Sequence, residues 1–371
     1  MIKIGFITGA RSEYGIMKPL IRELSNDNRF DVNIIATGMH FLQRYGHTID
    51  DIYHDGLAPV VEAPCYEEND LPKKEDFVAL INAIYATLEG KSYDVVYLIG
   101  DRLEAYAAAL AAHFLHIPVA HYAGGQITEG AVDNIYRYNI SNIASLHFAT
   151  NKYAVERLKS CPIVDSSKVY LAGSTAIDAI CEYLKAPQDA SIIDERLKRG
   201  KYILMTFHAE TNRKKKGYPI SEMMNTAIEE LIAHKEYVLI TYPNNDDGAN
   251  EIISVIERWK DNPYVIVRQN LGAYNYYVAV DNSKYIMGNS SSAIIEVPYF
   301  GKYSLDIGER QQGRNAPASV IHVQNDKQQL LSKIKKLREA HKVNVPNEMI
   351  YGEGNSVGKI IDTLLKEFFN E

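Results

Sequence analysis

Cysteine is scarce in this 371-residue chain, and the three present, Cys65, Cys161 and Cys181, form no CxxC pair and show no metal-ligand spacing. An odd number cannot pair completely within one chain, so a disulfide framework is excluded and buried free thiols in a reducing cytosol are expected. Long apolar runs are absent as well. The N-terminal MIKIGFITG carries one lysine and then a short run ending at glycine, too short for a signal segment or a membrane span, and it reads as a first strand. No low-complexity tract or fixed-period repeat occurs, which excludes a solenoid. Positive charge is not in excess. The 40 Lys and Arg against 47 Asp and Glu leave a net charge of −7, so nothing overall attracts phosphate backbones or anionic lipid. The expectation is a cytoplasmic protein that binds neither nucleic acid nor membrane and holds any anionic ligand by local groups.

What is present is ordinary for a folded globule, 46% hydrophobic and 23% charged residues. The length exceeds what one core usually sustains and predicts two domains. Short β-branched runs, each followed by a helical pattern, recur at 2–8, 30–37, 95–100, 119–123 and 146–150, and again at 202–206, 238–242, 265–267, 285–288 and 304–307. This alternation predicts an α/β fold of two Rossmann-like parallel-sheet domains, 1–185 and 186–371, facing a cleft. The connection is expected at 186–199, and an amphipathic stretch at 357–369 is a helix free to pack back on the N-terminal domain. Ligands bind at the carboxyl ends of strands in such folds, so residues just after strands are the candidates.

After the first run, Thr8-Gly9-Ala10-Arg11 is a glycine turn into a helix with a guanidinium at its start. It suits a diphosphate through helix N-terminal amides, or is plain βα geometry. It is not GxGxxG, so a nicotinamide dinucleotide loses its main support. Asp101 and Arg102 follow the apolar run 95–99. Asp101 is either the N-cap of the next helix or a base facing the ligand beside a phosphate-binding Arg102. The glycines of His121–Asn134 are a ligand approach or a loop, and Asp133 with Arg137 four residues on has a surface salt bridge as its plain account. In the second half His208 ends a strand as a general acid or base, or as a structural histidine. Asn244 sits in a polar turn. Gly288-Asn289-Ser290-Ser291-Ser292 opens a helix as a fitted diphosphate cradle, with Glu296 within reach of ribose hydroxyls and Arg310 and Arg314 downstream as further cations.

These pieces in this order look like the hydrolysing UDP-N-acetylglucosamine 2-epimerases of sialic and related nonulosonic acid biosynthesis. The carriers are ITGARSEYG, ATGMH, YGHTID, LIGDRLEA, AGGQITEGAVD, LAGSTAID, TFH, YPNNDDG, GNSSSAIIE, IGERQQGR and YGEGN, running essentially end to end. The resemblance implies the glycosyltransferase-B arrangement, UDP held mainly by the second domain, no metal or other cofactor, and a homo-oligomer, dimer or tetramer. It implies Asp101, Asp133 and His208 as catalytic groups. Gly9, Arg11, Arg102, Ser290, Ser291, Arg310 and Arg314 would serve phosphates or sugar, Glu296 the ribose, Asn244 the substrate, with Gly288 at the cradle. The implied reaction removes the C2 proton, eliminates UDP to a 2-acetamidoglycal, and hydrates it to N-acetylmannosamine. The chain departs from the family where an acid commonly stands at the positions of Ala123 and Gln126 and a histidine at that of Tyr138. Those departures leave open a UDP-2,4-diacetamido-trideoxyhexose as substrate, with Glu129 a replacement acid. A non-hydrolysing epimerase, a glycosyltransferase of the same architecture and a nucleotide-sugar-binding protein without turnover are the other readings.

Overall fold

The computed structural model describes residues 1–43, 46–66, 76–128, 133–210, 217–243, 248–340 and 348–369, with the Asp133 side chain outside that description. The chain divides into two compact units. The first comprises Met1–Gln126, Asp133–Ala179 and Tyr351–Glu371, and the second is built on Ile180–Ile350.

The strands of the first unit are β1 (Ile2–Thr8), β2 (Phe30–Thr37), β3 (Val60–Ala63), β4 (Val95–Ile99), β5 (Val119–Tyr122), β6 (Leu146–Ala149) and β7 (Val169–Leu171). They form one parallel sheet in the order β3-β2-β1-β4-β5-β6-β7. Its helices are α1 (Arg11–Ser25), α2 (Ile49–Asp55), α3 (Asp76–Leu88), α4 (Leu103–Phe114), α5 (Asp133–Ile143), α6 (Lys152–Lys159) and the start of α7 (Thr175–Tyr183). The central strands are apolar on both faces because helices cover both. Every residue of β4 is buried, and Ala105, Ala107, Ala108, Ala109, Ala111 and Ala112 of α4 pack as a small-residue face against one side.

The second sheet runs β10-β9-β8-β11-β12-β13, again all parallel. Its strands are β8 (Tyr202–Thr206), β9 (Tyr237–Thr241), β10 (Val265–Arg268), β11 (Ile286–Gly288), β12 (Ser304–Ile307) and β13 (Val320–Val323). The accompanying helices are α8 (Ile220–Ala233), α9 (Ala249–Trp259), α10 (Gly272–Asn282), α11 (Ser292–Ile295) and α12 (Lys327–Glu339). The stretch expected as a connection is folded onto this unit: Ala190 and Leu197 are fully buried, and Arg199 pairs with Asp281 at 2.6 Å. Chain continuity then returns α13 (Ser356–Phe368) to the first unit, where Val357, Ile360 and Leu364 share a core with Leu20, Ile21 and Leu24 of α1. Asp178 caps α13, accepting from the amides of Ser356 (3.1 Å) and Val357 (3.0 Å).

In each sheet the strand order reverses once, between β1 and β4 and between β8 and β11, and the crevice at the carboxyl ends of such a pair is where open α/β sheets bind ligands. The three cysteines are free thiols but only half-buried, with Cys65 and Cys161 at the margins of cores rather than inside them. Among the described residues no helix is long and apolar enough to cross a membrane.

Candidate functional site

At the reversal in the first unit, β1 ends in the Thr8-Gly9-Ala10 turn and β4 in Gly100-Asp101-Arg102. The amides of Gly9 (2.7 Å) and Ala10 (3.1 Å) both donate to Oε2 of Glu13, one turn into α1. The two turn amides that the sequence offered to a diphosphate are thus bonded by a carboxylate of the chain itself. Burial pushes Glu13 up to about 7, with Glu104 adding to the rise and Arg102 opposing it. Gly9 is required by packing, since a Cβ there would lie 2.5 Å from Cβ of Glu104. Arg11 points to the surface, 3.7 Å from Asp51. The turn is braced by His40, whose Nε2 lies 3.0 Å from the Thr8 hydroxyl and Nδ1 2.8 Å from that of Thr48. Thr8 donates to the Ala10 carbonyl, so it accepts from Nε2–H of His40, and Thr48 donates to Nδ1. The ring is neutral, held down to about 4 by burial and by Arg102.

Asp101 is not the cap of α4. Arg102 takes the N-cap position, with Nε 3.3 Å from Glu104, and the Asp101 carboxylate instead pairs with Arg137 of α5. Arg137 is 1% exposed and donates also to the Gln126 carbonyl (3.0 Å) and Asn134 (2.6 Å), so the surface salt bridge predicted for it is a buried anchor. His121, pushed down to about 3 by burial, donates from Nε2 to the Gly100 carbonyl (2.8 Å) and accepts from Ser141 (3.0 Å), fixing the residue before Asp101. Gln126 is buried and its amide donates to Thr150 at 2.5 Å. Ala123 sits at φ 66°, and Tyr138 is half-buried. The carboxyl group of Asp133 and the acid Glu129 lie outside the described residues.

In the second unit, β8 ends at Thr206 and β11 at Gly288. Gly288 has φ 142° and a Cβ there would stand 1.8 Å from the Thr206 carbonyl, so only glycine lets the two strand ends close. His208 follows, 6% exposed and neutral, its pKa lowered by burial and by Arg310. After β11, the amides of Ser290 and Ser291 meet no acceptor among the described residues. The hydroxyl of Ser290 lies 3.1 Å from that of Ser292, which bonds Tyr276 at 2.5 Å. The helix expected from here is short: α11 gives way to a 3-10 turn over Val297–Phe300, which carries Pro298. Glu296, at that junction, makes no side-chain hydrogen bond among the described residues, and burial pushes it up to about 7. Arg310 donates to the Asn289 carbonyl at 3.3 Å, and the positive charge of Arg314 acts on buried Asp306. Asn244 falls outside the described residues. The structure thus brings His208, Gly288, Ser290, Ser291 and Arg310 to one strand-end crevice, and Gly9, Asp101 and Arg102 to the other.

The sequence profile of the UDP-N-acetylglucosamine 2-epimerase family matches residues 22–365. The chain belongs to that family. It is 29% identical, over 95% of its length and 93% of the relative's, to the hydrolysing UDP-N,N′-diacetylbacillosamine 2-epimerase of Legionella pneumophila. It is 27% identical, over 87% and 84%, to the UDP-N-acetylglucosamine 2-epimerase of Neisseria meningitidis. The fold superposes with a TM-score of 0.82 on a crystal structure of the UDP-GlcNAc 2-epimerase from Neisseria meningitidis bound to UDP-GlcNAc, at 21% identity over 99% of this chain and 100% of that one. For this epimerase-family chain, sequence reasoning gave no role of their own to Glu13, His40, His121 and Asn289, and read Arg137 only as half of a surface pair. Glu13 had a readable signal, a glutamate at the third position of a helix, where it reaches back to cap.

Proposed function

We propose that this chain is a hydrolysing 2-epimerase of a UDP-activated N-acetylamino sugar, converting UDP-N-acetylglucosamine and water to UDP and N-acetylmannosamine. The observation that carries the reading is a buried, neutral His208 tied through its backbone to Asn289, the residue just before Ser290 and Ser291, whose amides meet no acceptor among the described residues, with the charge of Arg310 acting on the imidazole. A diphosphate leaving group needs donors that are fixed before charge develops, and the amides of Ser290 and Ser291 are bonded by no carboxylate among the described residues. The neutral imidazole donates an N–H while Arg310 supplies charge; Arg314, Gly288 and the hydroxyls of Ser290 and Ser291 complete the UDP side, with Glu296 and Asn244 for ribose and sugar. The reading also takes Asp101 and Asp133 for proton transfer and Arg102, Arg11 and Gly9 as polar contacts, the roles that the family resemblance implies for them.

The chemistry runs in two balanced steps. A carboxylate takes the C2 proton as the C1–O bond to UDP breaks, leaving the 2-acetamidoglycal and UDP. Water then adds its oxygen to C1 while a proton returns to C2 from the opposite face, so configuration there inverts. No group among those described changes oxidation state, and the residues act by positioning, proton transfer and stabilisation of the departing phosphate.

A second substrate, a UDP-2,4-diacetamido-trideoxyhexose, has specific support: the name of the Legionella relative, and the neutral Gln126 bonded to Thr150 where an acid was expected. Proton NMR in D2O with each UDP-sugar tests both. Free UDP with a C2-deuterated epimer identifies the substrate and the hydrolytic course. A UDP-bound epimer marks a non-hydrolysing enzyme, and binding without any product overturns the enzymatic reading.

A further inference from the structure

Parallel β8 and β11 pair only as far as Thr206 and Gly288, yet the ladder continues by other means. The Asn289 amide donates to the Thr206 carbonyl at 3.2 Å. Two residues on, the Asn289 side chain takes over: its Oδ1 accepts from the His208 amide at 2.7 Å, and its Nδ2 donates to the His208 carbonyl at 2.9 Å. Both backbone polar groups of the histidine are therefore held by one carboxamide that is itself fully buried. The backbone carbonyl of Asn289 in turn accepts from Arg310 (3.3 Å) and from Nε2 of Gln311 (3.0 Å). One residue thus ties together the segments that follow β8, β11 and β12, and it directly precedes Ser290 and Ser291.

The flanks reinforce the same point. Glu210, two residues past the histidine, accepts from the Glu309 amide at 2.6 Å and from Asn325 at 3.0 Å, pinning the stretch from which Arg310 projects. A serine, an aspartate or an alanine at 289 lacks the donor–acceptor pair, because only an amide presents both in one plane at that spacing.

We propose that Asn289 is a positioning residue of the reaction: its carboxamide, by bonding both backbone groups of His208, sets where the imidazole stands relative to Arg310 and the serine turn. The inference rests on the reading that His208 and Arg310 serve UDP departure, and it adds the residue that fixes their spacing. Asn289 acts through His208 and touches no reacting atom.

The test is Asn289→Asp, which keeps shape and the acceptor for the His208 amide but sets an oxygen against the His208 carbonyl. Turnover by UDP release, UDP affinity by calorimetry and thermal melting are measured on the full chain. Misplacement of a catalytic group by about 1 Å costs about 100-fold in rate, so kcat is expected to fall by about 10- to 100-fold while KM and UDP affinity stay within about threefold. Unchanged kcat overturns the proposal, and so does a loss of kcat that merely tracks lost UDP affinity and a collapsed melting temperature. Should the wild type release no UDP from any UDP-amino sugar, the functional reading fails separately. The positioning claim is then read by NMR of the UDP-bound protein, from the imidazole signal that His208→Ala removes. A moved or broadened signal in Asn289→Asp upholds it, and an identical signal overturns it.

Discussion

Both units present a glycine turn leading into a helix with a glutamate further on, and the two turns end in opposite states. In the first, the amides at the two positions before the helix, Gly9 and Ala10, are occupied by Glu13, three residues beyond Ala10. In the second, the corresponding amides of Ser290 and Ser291 have no acceptor among the described residues, and Glu296, five beyond Ser291, does not fold back on them. The spacing decides the outcome: a glutamate at the third helical position reaches its own cap, and one at the fifth cannot. The same local grammar therefore yields a self-capped turn in one unit and an open one in the other, so under the proposed function the stronger anion affinity is expected at the second.

The units differ also in how their site residues are held. The first relies on buried titratable groups, and three of the four buried histidines among the described residues, His40, His121 and His147, lie in it; the second has His208. All four are lowered, chiefly by burial, to about 4, about 3, about 4 and well below 6.5. An unfolded histidine takes up a proton near 6.5 while these folded ones cannot, so stability is full above that value and falls as pH drops below it. At pH 5 each costs roughly 2 kcal/mol, hence roughly 6 for the first unit against roughly 2 for the second. Hydrogen exchange followed from pH 7 to 5 is expected to lose protection first in the sheet of β1 to β7. Simultaneous loss in both sheets would remove this asymmetry.

Next in size are the groups proposed to react. His208→Ala and Asp101→Asn are each expected to lower kcat by about 10²- to 10⁴-fold, the range for a positioned proton donor or acceptor. They should part company in stability: Asp101→Asn withdraws the charge partner of Arg137, which is 1% exposed, and lowers the melting temperature, whereas His208→Ala leaves UDP binding measurable. Full activity of His208→Ala would take it out of the mechanism. Smaller again is the contrast between arginines. A charge-assisted hydrogen bond contributes about 1.5–3 kcal/mol, so Arg310→Ala is expected to weaken UDP binding by about 10- to 100-fold, and Arg11→Ala by at least tenfold less than that. Calorimetry that finds the two losses equal would put the anion on both turns and dissolve the distinction drawn above.

Much of this architecture was legible from the chain. Ten strands were readable because each is a β-branched, continuously apolar run, the mark of a strand buried on both faces. The three that escaped, β3, β7 and β13, are three of the four sheet edges and carry half-exposed patterns such as that of Val60–Ala63, whereas the fourth edge, β10, was readable from its Val-Ile-Val run. Helix α13 was readable, and its expected return to the N-terminal domain is realised in a core shared with α1. Among site residues, the strand-end motifs gave the positions of Asp101, His208 and Ser290. Their partners were hidden because Asp101 meets Arg137 across 36 residues and His208 meets Asn289 across 81, distances over which periodicity says nothing.

The finest probe of the comparison is Glu13→Gln. Glu13 is raised from 4.5 to about 7, so the folded state holds its proton more tightly than the unfolded chain, and stability contributed by the neutral carboxyl is lost as pH rises through that window. Glutamine keeps an oxygen for the Gly9 and Ala10 amides without the ionisation. The difference in unfolding free energy between wild type and variant is therefore expected to shift by about 2 kcal/mol in favour of the variant between pH 5 and pH 8, read from denaturant curves at each pH. UDP affinity should change little, because the amides stay capped. A gain in affinity in Glu13→Gln would mean that the carboxylate had been repelling a phosphate at this turn, and the first unit would then count as part of the anion site.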